Sequence, residues 1–164
     1  MADSAKWLDK PEAKRGREAE KSVATWLMSE GYYVIPSYDY AGEDHEKPPR
    51  LQGEAKGYPV PDLDVAKDGR RSWIEVKLKA KASWTRHTQR FEHGIAKRLV
   101  DAYTTVASIT ATPVWIVIVE EQTQEWLAAL LDSLRTDERV TNSWMGEMVY
   151  WPRTAFRRIR KVKP

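Results

Sequence analysis

Apolar residues recur with helical spacing in several stretches of the chain. The first predicted helix covers residues 11–30 and ends at Gly31, and its apolar positions are Ala19, Val23, Trp26 and Leu27. A second helix is predicted over residues 89–108, with an apolar stripe at Phe91, Ile95, Leu99, Ala102, Tyr103 and Val106. A third helix is predicted over residues 123–135, and residues 154–159 are expected to form one helical turn.

Runs of β-branched and aromatic residues predict strands between these helices. They cover residues 32–36, 63–66, 73–78, 113–120 and 148–151. The run at 113–120 is typical of a strand buried on both faces. The segments predicted to be loops or connections are 37–60, 79–88 and 136–146. A loop as long as 37–60 is expected to be functional or mobile, and the alternative is an insertion that packs on the core through its tyrosines.

The order of these elements predicts an α/β fold, in which a mixed central sheet is flanked by helices. At 164 residues the chain is expected to form a single domain, residues 1–164. Within that domain we predict a long loop at 37–60 and a basic C-terminal tail at 152–164.

Charge is distributed unevenly along the chain, although the net charge is only +3. Residues 70–100 carry nine Lys or Arg and two acidic residues, and residues 151–164 carry six Lys or Arg and no acidic residue. Residues 101–150 carry two basic and eight acidic residues. This segregation indicates a basic face for a polyanion. The alternative is a basic tail and a basic helix that are merely solvated.

The composition excludes several classes of protein. The chain has no cysteine, which excludes disulfides and thiolate metal sites. No apolar run approaches the roughly 20 residues that span a membrane, so no membrane partner is expected. Residues 1–10 have no apolar segment of the kind found in signal peptides. We therefore expect a cytoplasmic protein, in the host cytoplasm if the gene belongs to a phage.

One predicted hairpin brings acidic residues together. Asp68-Gly69 is a strong signal for a two-residue turn, and pairing outward from it places Asp62 opposite Glu75. Because side chains alternate along a strand, Lys77 shares the face of Glu75, and Asp64 lies beside Asp62. Opposed carboxylates repel each other, and a divalent cation between them would reverse that effect. The alternative is a solvated hairpin face with a surface ion pair.

These residues resemble the signature of the PD-(D/E)XK nuclease superfamily, read here as Pro61-Asp62 and Glu75-Val76-Lys77. Within it the chain is most similar to archaeal Holliday-junction resolvases. The further matches are Gly16-Arg17-Glu18-Ala19-Glu20 on the first helix, Gly31-Tyr32 at its end, and Pro113-Val114-Trp115-Ile116-Val117 in the buried strand. The likeness spans residues 14–120, and residues 121–164 have no counterpart.

The resemblance implies a restriction-endonuclease-like three-layer α/β sandwich and a Mg²⁺- or Mn²⁺-dependent DNA endonuclease. The implied catalytic residues are Glu20, Asp62, Glu75 and Lys77. The implied metal ligands are Asp62, Glu75, the backbone carbonyl of Val76 and Glu20, with Asp64 as an auxiliary ligand. Lys77 would orient or deprotonate the attacking water, or neutralise the phosphate. A homodimer is implied only by the resemblance to the resolvases.

Basic and polar residues after Lys77 are the predicted contacts to nucleic acid. They are Lys79, Lys81, Arg86, Gln89, Arg90 and His93. The alternative for His93 is a histidine of the second predicted helix whose hydrogen bonds are satisfied within the protein. The sequence leaves several activities open: a Holliday-junction resolvase-like or phage recombination nuclease, a restriction-type or structure-blind nuclease, and a non-catalytic nucleic-acid-binding module.

Overall fold

The computed structural model describes residues 10–36 and 49–163, and the elements below refer to these ranges. The α-helices are α1 (Pro11–Ser29), α2 (Lys97–Thr110) and α3 (Leu131–Leu134). Strands in the first half of the chain are β1 (Tyr33–Pro36), β2 (Arg50–Gln52), β3 (Gly57–Pro59), β4 (Leu63–Lys67), β5 (Arg70–Lys79) and β6 (Ser83–Thr85). Strands in the second half are β7 (Arg90–Ala96), β8 (Val114–Glu120), β9 (Glu125–Leu130), β10 (Arg139–Ser143), β11 (Gly146–Pro152) and β12 (Arg157–Lys161). Short 3₁₀ turns lie at Arg135–Asp137 and Arg153–Ala155.

A mixed sheet of six strands forms the centre of the described chain, in the order β1-β4-β5-β8-β9-β12. Strands β5 and β8 run parallel, and the other neighbours in this sheet are antiparallel. A second sheet has the order β10-β11-β7-β6, and β2 pairs with β3 alone.

Each face of the central sheet is covered by a different layer. Helix α1 packs Val23 and Leu27 against one face, where β4 and β5 contribute Leu63 and Val76. The other face packs against α2 and the second sheet through Ile116 and other buried side chains, among them Tyr103, Leu127 and Trp151. The predicted α/β sandwich with a mixed central sheet is therefore confirmed. No helix of the described residues is long and apolar enough to cross a bilayer.

The predicted hairpin is confirmed in its register. Lys67 lies opposite Arg70, and Asp64 lies opposite Trp73. Asp68 and Gly69 have φ values of 51° and 74°, and positive φ at both central residues is what this tight turn requires.

The second predicted helix begins later than expected, because residues 90–96 form strand β7 and the helix starts at Lys97. Spacing between Phe91 and Ile95 fits one face of a helix and one face of a strand equally well. The pairing of β7 with β11 requires a residue without a Cβ at position 94, because a Cβ there would collide with the ring of Tyr150 on β11. Glycine meets that requirement.

The third predicted helix is also wrong over most of its length. Residues 125–130 form β9, between β8 and β12, and only Leu131–Leu134 is α-helical. Four consecutive residues of β9, Trp126 to Ala129, are buried, and a helix on the surface of a sheet would expose one of them.

Segments predicted as loops contain short strands. Residues 79–88 include β6, residues 136–146 include β10, and the described part of the predicted loop 37–60 includes the β2–β3 hairpin. Residues 37–48, the first half of this predicted loop, lie outside the described ranges. The predicted basic tail at 152–164 is wrong in its described part, where β12 is an edge strand of the central sheet and no helical turn spans 154–159.

Two buried glutamates, Glu92 and Glu120, are ion-paired with arginines. Glu92 accepts hydrogen bonds from Arg90, Arg139 and two threonines. Glu120 accepts two bonds of 2.9 Å from Arg153 and one of 2.6 Å from Thr123. Although burial opposes ionisation, the hydrogen bonds, led by those from Arg139 and from Arg153, lower the pKa of each glutamate to about 2.

We expect stability to fall in acid because of these two carboxylates. Their folded-state pKa values lie below the ordinary value of 4.5, so their contribution is complete above about pH 4.5 and is lost as the pH falls toward 2. Urea unfolding measured from pH 6 to pH 2.5 checks this. The Glu92→Gln variant should be less stable at pH 6 but show a slope shallower by up to about 1.4 kcal/mol per pH unit. Equal slopes below pH 4.5 would contradict the assignment for Glu92.

Candidate active site

Asp62 and Glu75 meet where strand β4 begins. The last backbone pair of the β4–β5 ladder is Leu63 with Ile74. At the preceding residue, the backbone pairing is replaced by a side-chain contact. The Oδ2 atom of Asp62 accepts a hydrogen bond of 2.8 Å from the Val76 N–H. The side chain of Asp62 is therefore fixed against β5, next to Glu75.

Glu75 is a buried carboxylate with one oxygen paired and one left over. The residue is only 1% exposed, and its Oε1 lies 2.5 Å from Lys77 Nζ. Its Oε2 is buried and has no hydrogen-bond partner within the described ranges. Because buried polar atoms are nearly always hydrogen-bonded in proteins, this orphaned carboxylate oxygen is available to accept a hydrogen bond or to bind a cation.

The charges in this cluster strongly influence each other. Burial, followed by the charges of Glu75 and Glu20, raises the pKa of Asp62 well above its ordinary value. Burial also acts against the charge of Lys77, but Glu75 and Asp62 outweigh it and raise the pKa of Lys77. The ammonium group thus holds its proton and offsets part of the acidic charge.

The other predicted ligands are Glu20, Asp64 and the carbonyl of Val76. Glu20 is half-buried on α1, and its charge contributes to the raised pKa values of Asp62 and Lys77. Asp64 shares the predicted face but is ion-paired with Arg71 at 2.5 Å. The Val76 N–H points to Asp62, and the N–H and C=O of one strand residue point the same way, so its carbonyl is directed there too.

The residues present fit a hard divalent cation. In the described part of the chain, no three His, Asp or Glu side chains converge to form a complete metal cage. Mg²⁺ does not require one, because it is usually held by one or two carboxylates and completes its shell with water and substrate phosphates. The carboxylates of Asp62 and Glu75 form such a pair, and the orphaned Oε2 belongs to Glu75.

The predicted contacts to nucleic acid separate into two groups. Lys79 follows Lys77 on the same face of β5, and burial together with the charge of Lys77 lowers its pKa. The exposed members are Lys81, Arg86 and Gln89. Arg90 is ion-paired with Glu92 and Asp137.

His93 is better explained as a structural residue. It is 2% exposed, lies in β7, and its Nε2 is 2.6 Å from Glu120 Oε1. A side chain enclosed in this way has no surface for DNA, so we remove His93 from the predicted contacts. Trp84 and Phe91 are not among the predicted contacts, yet both are exposed; the signal in the sequence is their place in a basic segment without acidic residues.

Comparisons with known proteins show similarity in fold. No protein-family model and no curated protein sequence matches the chain. Among solved structures, Hjc, a Holliday junction resolvase from Archaeoglobus fulgidus, has a TM-score of 0.55 at 12% identity, covering 86% of this chain and 91% of its own. A nuclease from a fusselovirus has a TM-score of 0.46 at 11% identity, covering 85% of this chain and 79% of its own. The likeness to Hjc confirms the restriction-endonuclease-like α/β fold and the resemblance to archaeal resolvases at the level of fold.

Proposed function

We propose that this chain is a metal-dependent DNA endonuclease that hydrolyses phosphodiester bonds with Mg²⁺ or Mn²⁺. The observation that carries the proposal is the buried Asp62–Glu75–Lys77 cluster, with its orphaned Glu75 oxygen, in a fold shared with Hjc. A merely structural hairpin gains nothing from two adjacent buried carboxylates, since their repulsion and burial are both costly.

Asp62, Glu75 and the carbonyl of Val76 are the groups proposed to hold the cation. When bound there, a divalent cation lowers the pKa of a water molecule and stabilises the charge that develops on the scissile phosphate. Glu20 adds negative charge beside Asp62 and strengthens the site for a cation. Asp64 is a weaker candidate, because Arg71 already neutralises it.

Lys77 is proposed to act as a cation. Its pKa is raised by Glu75 and Asp62, so it retains its proton at neutral pH and is a poor base. An ammonium group beside the site is suited to bind a non-bridging phosphate oxygen and to orient the attacking water. Lys79, Lys81 and Arg86 continue the positive charge away from the site and are the proposed contacts to the DNA backbone.

Cleavage assays with three DNA substrates test the proposal. Supercoiled plasmid, linear duplex and a four-way junction are incubated with Mg²⁺, with Mn²⁺ and with EDTA. We expect cleavage of at least one substrate with either metal and none with EDTA. Cleavage of the junction alone would indicate a resolvase-like activity, and cleavage of all three would indicate a structure-blind nuclease. No cleavage of any substrate would reject the endonuclease and favour the alternative of a non-catalytic nucleic-acid-binding module.

Metal binding is also expected to stabilise the fold, because the cation relieves the repulsion between Asp62 and Glu75. A ligand at 100 times its Kd adds about 2.7 kcal/mol, which corresponds to a rise in Tm of roughly 5–10 °C for a chain of this size. Differential scanning fluorimetry in EDTA and with Mn²⁺ measures the rise. Glu75→Gln should lose it and Asp68→Asn, an exposed carboxylate in the turn of the same hairpin, should keep it. An equal rise in both variants would mean that the cation binds elsewhere.

A further inference from the structure

Trp84 and Phe91 form an exposed aromatic pair on the second sheet. They lie directly opposite each other on β6 and β7, with ring centroids 5.1 Å apart and an interplanar angle of 65°. Such edge contacts are a favourable arrangement for two aromatic rings. Trp84 is 55% exposed and Phe91 is 53% exposed, so over half of each residue faces solvent.

Packing in the hydrophobic core does not explain why two aromatic residues occupy these positions. The same face of β7 carries His93 and Ile95 further along the strand, and both are buried against the central layers. The sheet extends past the core at Phe91, and β6 is its outer strand. Two half-exposed rings at the margin of a sheet contribute less to folding than buried ones, and they leave flat surfaces available to a partner.

The charges around the pair restrict what that partner is. Residues 76–91 contain no acidic residue, and Lys81, Arg86 and His87 are exposed within this segment. Arg90 is already paired with Glu92 and Asp137, so the free positive charge lies on the β5–β6 and β6–β7 connections. Exposed aromatic rings in a segment that also carries exposed cations fit a polyanion with aromatic groups, which is single-stranded nucleic acid.

The pair also lies near the candidate active site along the chain. Trp84 follows Lys77 by seven residues, and a chain of that length spans at most roughly 25 Å. Stacked nucleotides advance about 3.4 Å per step, so a base on Trp84 lies within about seven nucleotides of a phosphate at Lys77.

We propose that Trp84 and Phe91 form a stacking platform that binds an unpaired base of the DNA, with Lys81 and Arg86 on the adjacent phosphates. The position of that base next to the cut rests on the proposed function, whereas the binding itself does not. The proposal assigns the chain a preference for DNA that has unpaired bases near the cleaved bond, as at a branch, a flap or a single-stranded end.

Binding measured without cleavage tests the platform. Fluorescence anisotropy in EDTA compares a labelled 20-nucleotide single strand, a blunt duplex and a duplex with a single-stranded tail, at one fixed salt concentration. We expect Trp84→Ala to weaken binding of the single strand and the tailed duplex by roughly 5- to 150-fold, the equivalent of losing about 1–3 kcal/mol of base stacking. Binding of the blunt duplex should change less than 3-fold, and Trp84→Phe should restore most of the affinity.

Trp144 provides a matched control. It is 93% exposed in the β10–β11 turn, on the far edge of the second sheet from β6, so Trp144→Ala should leave binding of all three DNAs unchanged. Equal losses in Trp84→Ala and Trp144→Ala, or equal losses on single-stranded and blunt DNA, would overturn the platform. Unchanged binding together with loss of a self-associated form in sedimentation would overturn it too, in favour of an interface between copies of the chain.

Different experimental results would reject the stacking platform and the nuclease activity. Trp84-dependent binding of single strands without any metal-dependent cleavage would retain the platform and reject the enzyme. Metal-dependent cleavage with no effect of Trp84→Ala on any DNA would retain the enzyme and reject the platform.

Discussion

Asp62→Asn and Glu75→Gln are each expected to lower the rate of DNA cleavage by more than about 100-fold. Replacing a group that merely supports a metal ligand typically costs 10–100-fold in activity or metal affinity, and losing a ligand itself should cost more. DNA affinity should stay equal or rise, because each substitution removes an acidic group beside the proposed position of the phosphate. Single-turnover cleavage and anisotropy with the same DNA measure the two quantities separately.

Two further variants of the same hairpin sharpen this prediction. Asp68→Asn makes the same change of charge at an exposed turn residue, where asparagine also tolerates the positive φ of 51°, and its cleavage rate should match the unmodified chain. Asp64→Asn should reduce cleavage less than Asp62→Asn, because Asp64 is paired with Arg71. If Asp64→Asn abolishes cleavage and Asp62→Asn does not, the choice of ligand is wrong.

Arg153→Ala is expected to destabilise the fold by about 3–5 kcal/mol, the typical cost of removing one partner of a buried ion pair. Arg153 donates two hydrogen bonds to Glu120 and a third, of 2.6 Å, to Glu125. Without it, Glu120 is a buried carboxylate held only by Thr123 and His93 among its described partners. The loss corresponds to a fall in Tm of roughly 6–20 °C.

Arg158→Ala is the matched control for this prediction. Arg158 also pairs with Glu125, at 3.0 Å, but its side chain is exposed. An exposed ion pair contributes about 0–1 kcal/mol, so the control should lower Tm by no more than roughly 4 °C. Urea and thermal unfolding of both variants measure the difference. Similar small effects in both variants would mean that the ion pair of Arg153 with the buried Glu120 contributes little to stability.

The best-predicted parts of the structure rest on local signals. Asp68-Gly69 determines the turn, the turn determines the register, and the register places Asp62 beside Glu75. The continuous apolar run of β8 likewise identifies a strand without any further information. The hairpin contains Asp62, Glu75 and Lys77, and β8 pairs with the strand that bears Glu75 and Lys77. The residues of the candidate site could therefore be proposed from sequence.

The errors fall where the deciding contacts are distant in sequence. Residues 90–96 and 125–130 have spacings that fit a helix, and only pairing with β11 or β8 turns them into strands. The pair of Glu120 with Arg153 joins residues 33 positions apart, and no local pattern predicts it. Apparent basic-tail residues such as Arg158 are therefore partly neutralised in the folded chain, which the charge count alone does not reveal.

Anomalous scattering from crystals grown or soaked with Mn²⁺ locates the cation itself. We expect one strong peak between Asp62 and Glu75, about 2.1 Å from a carboxylate oxygen of each. The peak should be absent from crystals of Glu75→Gln under the same conditions. A peak at Asp64 or elsewhere, or no peak at saturating Mn²⁺, would contradict the assignment of Asp62 and Glu75 as the metal site.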